Sequence, residues 1–319
     1  FVIPSRMMHS RSALPNALAR ARFGQFPRSA SANSNWVSQE GSEIVPIKSL
    51  LIASDLSERS DRAIQRGFML AAEMGARATV VSIVDDSLPE ELIAELERRS
   101  RDLLHATASS LAGNVEFEII VRRGDAISQL VEIVNSGGFD MAVVGIHRSR
   151  GVFDGLRPTT VESVVSQSLR PILLVAAPAH AAYGRVLAPV GFSPACQRAV
   201  EVSLCLAPKA AFRLFHAWMA PFEGLTGGAS SDFARAVQRE TAAQATAWSA
   251  SLPASLAKVD LIHDSVAQGL SREMKSFAPD LLAVGANTRA VSFTGLGHFT
   301  ADLVRDPPCD VLIARGSEA

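Results

Sequence analysis

A chain of 319 residues is long for one hydrophobic core and comfortable for two. Apolar residues make up 48% of it, charged residues 20%, and the formal net charge is -1, a balance that argues against a nucleic-acid or anionic-membrane partner. No apolar run reaches the ~18 residues of a membrane span; the longest, 141–146 and 171–177, have strand length.

Residues 1–45 read as a disordered basic tail. Arg6, Arg11, Arg20, Arg22 and Arg28 appear with no acidic residue before Glu40, and Ser, Ala, Asn and Pro fill the spaces. Such a composition buries too little apolar surface to offset the entropy of ordering. An Arg-rich, acid-poor stretch also fits an organelle transit peptide, and Met7 or Met8 fits a start site; these alternatives stay open.

Beyond the tail, strands and helices alternate. Residues 49–53 form a short apolar strand ending in the polar pair Ser54-Asp55. Ile64, Phe68, Ala71 and Ala72 then recur at helical spacing. A second strand follows at 79–84. Leu92, Leu96, Leu103 and Leu104 mark a long helix whose wet face carries Glu95, Glu97, Arg98, Arg99, Arg101 and Asp102. Residues 115–121 are the third strand, and Ile127, Leu130, Val131 and Val134 predict the next helix. The fourth strand is 141–144, the fifth 171–176, with a helical face of Val161, Val164, Val165 and Leu169 between them. Continuously apolar strands belong to a parallel sheet covered by helices on both sides. A linker at 177–184 leads to strands near 185–190, 212–216, 259–262, 280–284 and 310–314. A helix over 232–250 and a Gly-rich irregular loop over 221–231 fall among them.

The second series repeats the first. Leu51-Ile52-Ala53-Ser54-Asp55-Leu56-Ser57 lies over Leu187-Ala188-Pro189-Val190-Gly191-Phe192-Ser193 at an offset of 136. Met141-Ala142-Val143-Val144-Gly145 lies over Leu281-Leu282-Ala283-Val284-Gly285 at 140, and 170–174 over 309–313 at 139. The fold class is therefore α/β: two tandem doubly wound, Rossmann-like domains with five-stranded parallel sheets, at 46–177 and 185–315.

In open parallel sheets, ligands bind beyond the carboxyl ends of the strands where strand order reverses. Two loops of the first unit qualify: Ala53-Ser54-Asp55, and the stretch from Gly145 to Thr159. A strand-end acid can accept hydrogen bonds from a ribose or amino group. A glycine permits close backbone approach. A helix opening at Thr159 and Thr160 offers N–H groups and hydroxyls to phosphate.

These residues resemble the universal stress protein family over 47–315. In that family, strand one ends in Asp, and strand four leads into Gly, two residues, Gly, nine residues, Gly, then Ser or Thr. Here the register reads Gly145, Ile146-His147, Arg148, nine residues, Pro158, Thr159. The resemblance implies ATP as a cofactor of the first domain, held by Ala53, Ser54, Asp55, Ile83, Val144, Gly145, His147, Thr159 and Thr160. Arg148 and Pro158 replace motif glycines. Proline has no N–H to give a phosphate, whereas Arg148 either fills the loop or meets phosphate itself. In the second unit Gly191 replaces the Asp, and the loop reads Gly285, Thr288, Gly297, His298, one residue short; this unit is expected to have lost ATP. The resemblance also implies an intramolecular pseudo-dimer through the fifth strands, with a homodimer as a further expectation.

Other candidates have plainer readings. Gly191-Phe192-Ser193-Pro194-Ala195 lacks the last glycine of a nucleophile elbow, and Ser193 reads as a helix cap. His216 and His263 share no ligand spacing, and Asp85-Asp86 reads as a solvated loop rather than a metal site. Cys196, Cys205 and Cys309 form no CxxC pair, which suits a reducing cytosol. No metal site is expected. The leading functional expectation is a cytoplasmic stress-response regulator with an ATP site in the first domain. The alternatives are a protein working through contacts with an unknown protein partner, and an ATP hydrolase with His147 as its candidate base.

Overall fold

Strands that are apolar on both faces must be hidden on both faces, and parallel neighbours need a crossover helix between them. The computed structural model meets both demands, and it describes residues 45–136, 138–146, 160–220, 231–286 and 297–316. The tail reading for 1–44 and the loops at 147–159, 221–230 and 287–296 lie outside these residues. The first unit contains β1 (Ser49–Ala53), α1 (Glu58–Met74), β2 (Arg77–Val84), α2 (Glu90–Leu111), β3 (Phe117–Arg123), α3 (Ala126–Asn135), β4 (Met141–Gly145), α4 (Thr160–Gln167) and β5 (Ile172–Val175). The second contains β6 (Arg185–Pro189), α5 (Pro194–Leu206), β7 (Ala211–Trp218), α6 (Asp232–Ser249), β8 (Val259–His263), α7 (Val266–Phe277), β9 (Leu281–Ala286), α8 (His298–Arg305) and β10 (Asp310–Arg315).

Local chemistry sets the helix ends. Asp125 accepts from the Ser128 amide at 2.9 Å and opens α3. Ser193 caps α5, with Pro194 in its first turn, as its sequence reading anticipates. Gly75 closes α1 at φ 64, a left-handed conformation that glycine takes without penalty.

Three expectations need correction. In α2, Leu92 and Leu103 are 45% and 47% exposed, while Ile93, Ser100, Leu104 and Ala108 are buried. The buried stripe contains small Ser100 and Ala108, which let the helix lie close to the sheet but add little to an apolar periodicity. Leu169 is exposed and outside α4. Asn135 accepts from the Leu169 amide at 2.8 Å and donates to the Gln167 carbonyl at 3.0 Å, which ends that helix. The third strand begins and ends two residues later than expected. Its last residue, Arg123, joins Glu97 at 2.6 Å and Glu90 at 2.8 Å on α2, so a charged residue can extend this edge strand.

The ten strands form one sheet in the order β3-β2-β1-β4-β5-β10-β9-β6-β7-β8. Each five-strand half is parallel throughout, and β5 meets β10 antiparallel, with Leu173 opposite Leu312. One core, with Leu50, Ile52, Phe68, Leu104, Val186 and Val200, lies under α1, α2, α5 and α6. The other, with Leu51, Val134, Val165, Leu187 and Leu303, lies under α3, α4, α7 and α8. The intramolecular pseudo-dimer is thus a single three-layer body whose sheet crosses the seam without a gap.

Polar groups also cross the seam. Asp310, at the start of β10, accepts from the Ala176 amide at 2.9 Å and from the Tyr183 hydroxyl at 2.6 Å. Arg66 of α1 stands over the Tyr183 ring, 4.2 Å from its centroid, and donates to the Ala181 carbonyl at 2.8 Å.

Candidate functional site

In each half, strand order reverses beside the first strand. β1 lies between β2 and β4, and β6 lies between β7 and β9. At the first reversal the strand-end residues Ala53, Val144 and Gly145 lie together. Ala53 pairs with both Val81 and Val144, so the ends of β1 and β4 lie side by side. Val144 is a core residue, and Gly145 follows it at the strand end. Ile83 lies two residues beyond Val81 on β2, partly buried. Thr160 is exposed and opens α4. His147, Arg148 and Thr159 lie outside the described residues.

The turn after β1 is built from serines. The Ser54 amide donates to the Val81 carbonyl at 2.8 Å. Its buried hydroxyl donates to Ser60 at 3.0 Å and accepts from the Leu56 amide at 3.2 Å. Leu56 sits at φ 61, an uncommon conformation for a side chain of its size. This turn leaves Asp55 exposed, with Oδ1 accepting from the amide and hydroxyl of Ser57 at 3.0 and 2.5 Å. Partial burial works to raise the Asp55 pKa, but the hydrogen bonds from Ser57 outweigh it and hold the carboxyl below its ordinary value. The site therefore presents an ionised acceptor at neutral pH. Ser60 belongs to no motif and is missed by the sequence reading. The repeat carries a signal for it, since the offset of 136 places Ser60 over Cys196.

The second unit has the same turn with different chemistry. Phe192 repeats the left-handed conformation of Leu56, at φ 59. Val190 replaces Ser54, and the Gly191 amide and Ser193 hydroxyl each lie 3.3 Å from the Cys196 sulfur. No carboxylate is present at this turn. The Phe192 ring instead stacks on His216, with centroids 4.3 Å apart, and His216 Nδ1 donates to the Val190 carbonyl at 2.7 Å. Pairing also differs. β1 and β4 pair over four residues, whereas β6 and β9 pair only at Val186–Leu281 and Leu187–Leu282. Pro189, in the place of Ala53, has no N–H for a ladder.

The glycines at the ends of β4 and β9 have a packing role. A Cβ on Gly145 would come within 2.4 Å of the Arg59 carbonyl oxygen, and one on Gly285 within 2.4 Å of the Cys196 amide nitrogen. Each glycine lets the first turn of α1 or α5 rest against the neighbouring strand end. Among the described residues, no group of three His, Cys, Asp or Glu side chains gathers as a metal site, and no helix is long and apolar enough to cross a membrane. Asp85 accepts from the Ser87 amide at 2.8 Å, closing its own turn.

The two parallel halves, each with its first strand between the second and fourth, define a doubly wound, Rossmann-like α/β fold. Within that class, the model of the universal stress protein family matches residues 46–176 and again 182–315, and the chain belongs to that family. Among solved structures it resembles a universal stress protein from Archaeoglobus fulgidus DSM 4304 at 16% identity and TM-score 0.61, covering 85% of this chain and 97% of that one. It also resembles a functionally unknown protein from Pseudomonas aeruginosa PAO1 at 12% identity and TM-score 0.55, covering 85% and 93%. A universal stress protein solved in complex with cAMP matches at 16% identity and TM-score 0.35, covering 41% of this chain and 98% of that one. No curated protein matches the chain.

Proposed function

We propose that this universal stress protein is a cytoplasmic stress-response regulator whose first unit, 46–177, takes an adenine nucleotide, ATP, and whose second unit, 185–315, does not. One observation carries the reading: of two turns with the same backbone, only that of the first unit presents an ionised carboxylate, Asp55, beside fully paired strand ends. The ribose and base would meet Ala53, Ser54, Asp55 and Ile83, while the phosphates would meet Gly145, His147, Arg148, Thr159 and Thr160. The second reading, regulation through protein contacts alone, is favoured by the close approach of α1 to Gly145. Hydrolysis has only His147 as a candidate base and is the least supported.

Titration calorimetry with ATP, ADP and AMP, with and without magnesium, separates these readings. The expected result is one ATP per chain, weakened by Asp55→Ala. Pro158→Gly returns an N–H to the phosphate side, and one hydrogen bond to a charged acceptor is typically worth about 1.5–3 kcal/mol, a tenfold or greater gain in affinity. Arg148→Gly either adds to that gain by clearing the loop or abolishes binding because the guanidinium is itself a phosphate ligand. A silent wild type that stays silent in both variants leaves the contact-only reading, and steady phosphate release establishes the hydrolase.

A further inference from the structure

The helix that opens at Thr160 is held by the other half of the protein. Arg305, the last residue of α8, brings Nε to 2.6 Å from Oε1 of Glu162. Glu162 lies in the first turn of α4, and its side chain is 2% exposed. Arg315, the last residue of β10, donates through Nη2 to the Ser166 carbonyl and lies 3.4 Å from that of Val165. Two arginines of the second unit therefore grip both ends of an eight-residue helix of the first.

The grip runs in one direction. At the offset of 139 that relates the two fifth strands, Glu162 corresponds to Ala301, Arg305 to Ser166 and Arg315 to Ala176. None of these three can return the contact with a charge. The ion pair also joins two helix ends of opposite polarity. A carboxylate is favoured in the first turn of α4 and a cation in the last turn of α8. A buried carboxylate that loses a cation is strongly disfavoured, so loss of Arg305 disturbs the first turn of α4.

We propose that the second unit is the regulatory half: through Arg305 and Arg315 it sets the position of α4, and displacement of α8 changes the affinity of the first unit for its nucleotide. The affinity part rests on the nucleotide reading above; the positional part does not. Hydrogen exchange of the full chain, read on peptides covering 160–167, tests the positional part, and calorimetry with ATP tests the other. Arg305→Ala is expected to speed exchange across α4 about tenfold or more while α1 and α3 keep their protection. It should weaken ATP about tenfold, within the usual range of coupling between two sites. The double variant Glu162→Gln/Arg305→Ala removes the buried carboxylate charge together with the cation and is expected to recover most of both losses. Should Arg305→Ala alone fail to fold, Arg315→Ala and the double variant supply the same two readouts. Unchanged exchange in α4 overturns the proposal. A wild type that takes up no ATP removes the nucleotide reading and the affinity part with it, while the exchange data still decide whether the second unit holds α4.

Discussion

Arg66 and Asp310 meet at the seam between the two units, Nε to Oδ2 at 3.4 Å, with side chains only 7% and 2% exposed. One comes from the first helix of the first unit, the other from the last strand of the second. Both charges have left water, so their value lies in mutual compensation and in the surrounding hydrogen bonds. Asp310→Ala leaves the Arg66 cation buried without its counter-charge and the Ala176 amide without its acceptor. The expected loss of stability is about 3–5 kcal/mol, read from urea denaturation. A loss below about 1 kcal/mol would show that the seam is held by the β5–β10 strands alone.

Tyr183 is the only tyrosine in the chain, so its ionisation can be followed directly. Burial, then the negative charge of Asp310, pushes its pKa well above the ordinary 10. The folded state therefore keeps this proton where the unfolded state loses it. The contribution of Tyr183 to stability is complete below about pH 10 and declines as pH rises above that value. Native protein should show no tyrosinate absorbance until it unfolds, and Tyr183→Phe should remove this part of the alkaline destabilisation. A tyrosinate band that develops near pH 10 without unfolding would contradict the buried contact.

In the full chain, Leu173 and Leu174 of β5 are completely buried, and β10 covers the strand edge. Residues 46–180 expressed alone expose that edge and the apolar residues on both of its faces. The expected product is a homodimer through β5, or an aggregate, in analytical ultracentrifugation. A stable monomer at micromolar concentration would count against the seam as the main source of unit pairing.

The α/β alternation and the duplication were legible because buried parallel strands are continuous apolar runs, and because the offset of 136 survives around Asp55 and Gly191. The fifth-strand pairing was implied by the family resemblance, and the apolar strands at 172–175 and 311–313 agree with it. The inward face of α2 was not legible, since Ser100 and Ala108 do the packing there and hydropathy favours Leu92 and Leu103. The end of α4 was not legible either, because it depends on Asn135, a polar residue more than thirty positions away in the chain. At the candidate site, Asp55 could be picked out by its place after a strand, but the serines that orient it could not. Their hydrogen bonds depend on the left-handed turn at Leu56, a conformation that leucine gives no local reason to expect.

Gly145 can be explained by ligand approach or by packing, and substitution separates the two. A Cβ at this position comes within 2.4 Å of the Arg59 carbonyl, a backbone atom that cannot rotate away, so α1 has to move. Gly285 stands in the same relation to the Cys196 amide nitrogen. Forcing a methyl group into a well-packed contact typically costs about 1–3 kcal/mol, and Gly145→Ala and Gly285→Ala should each lose about that much in urea denaturation. Gly191 supplies the control, because a Cβ there meets nothing within 4 Å. Gly191→Ala should change stability by no more than about 0.5 kcal/mol. If Gly145→Ala matches Gly285→Ala in stability and also retains ATP affinity in equilibrium dialysis, packing accounts for both glycines. If Gly145→Ala leaves stability intact but removes ATP binding, the glycine serves the nucleotide, and the close contact with α1 is relieved by a small shift of that helix.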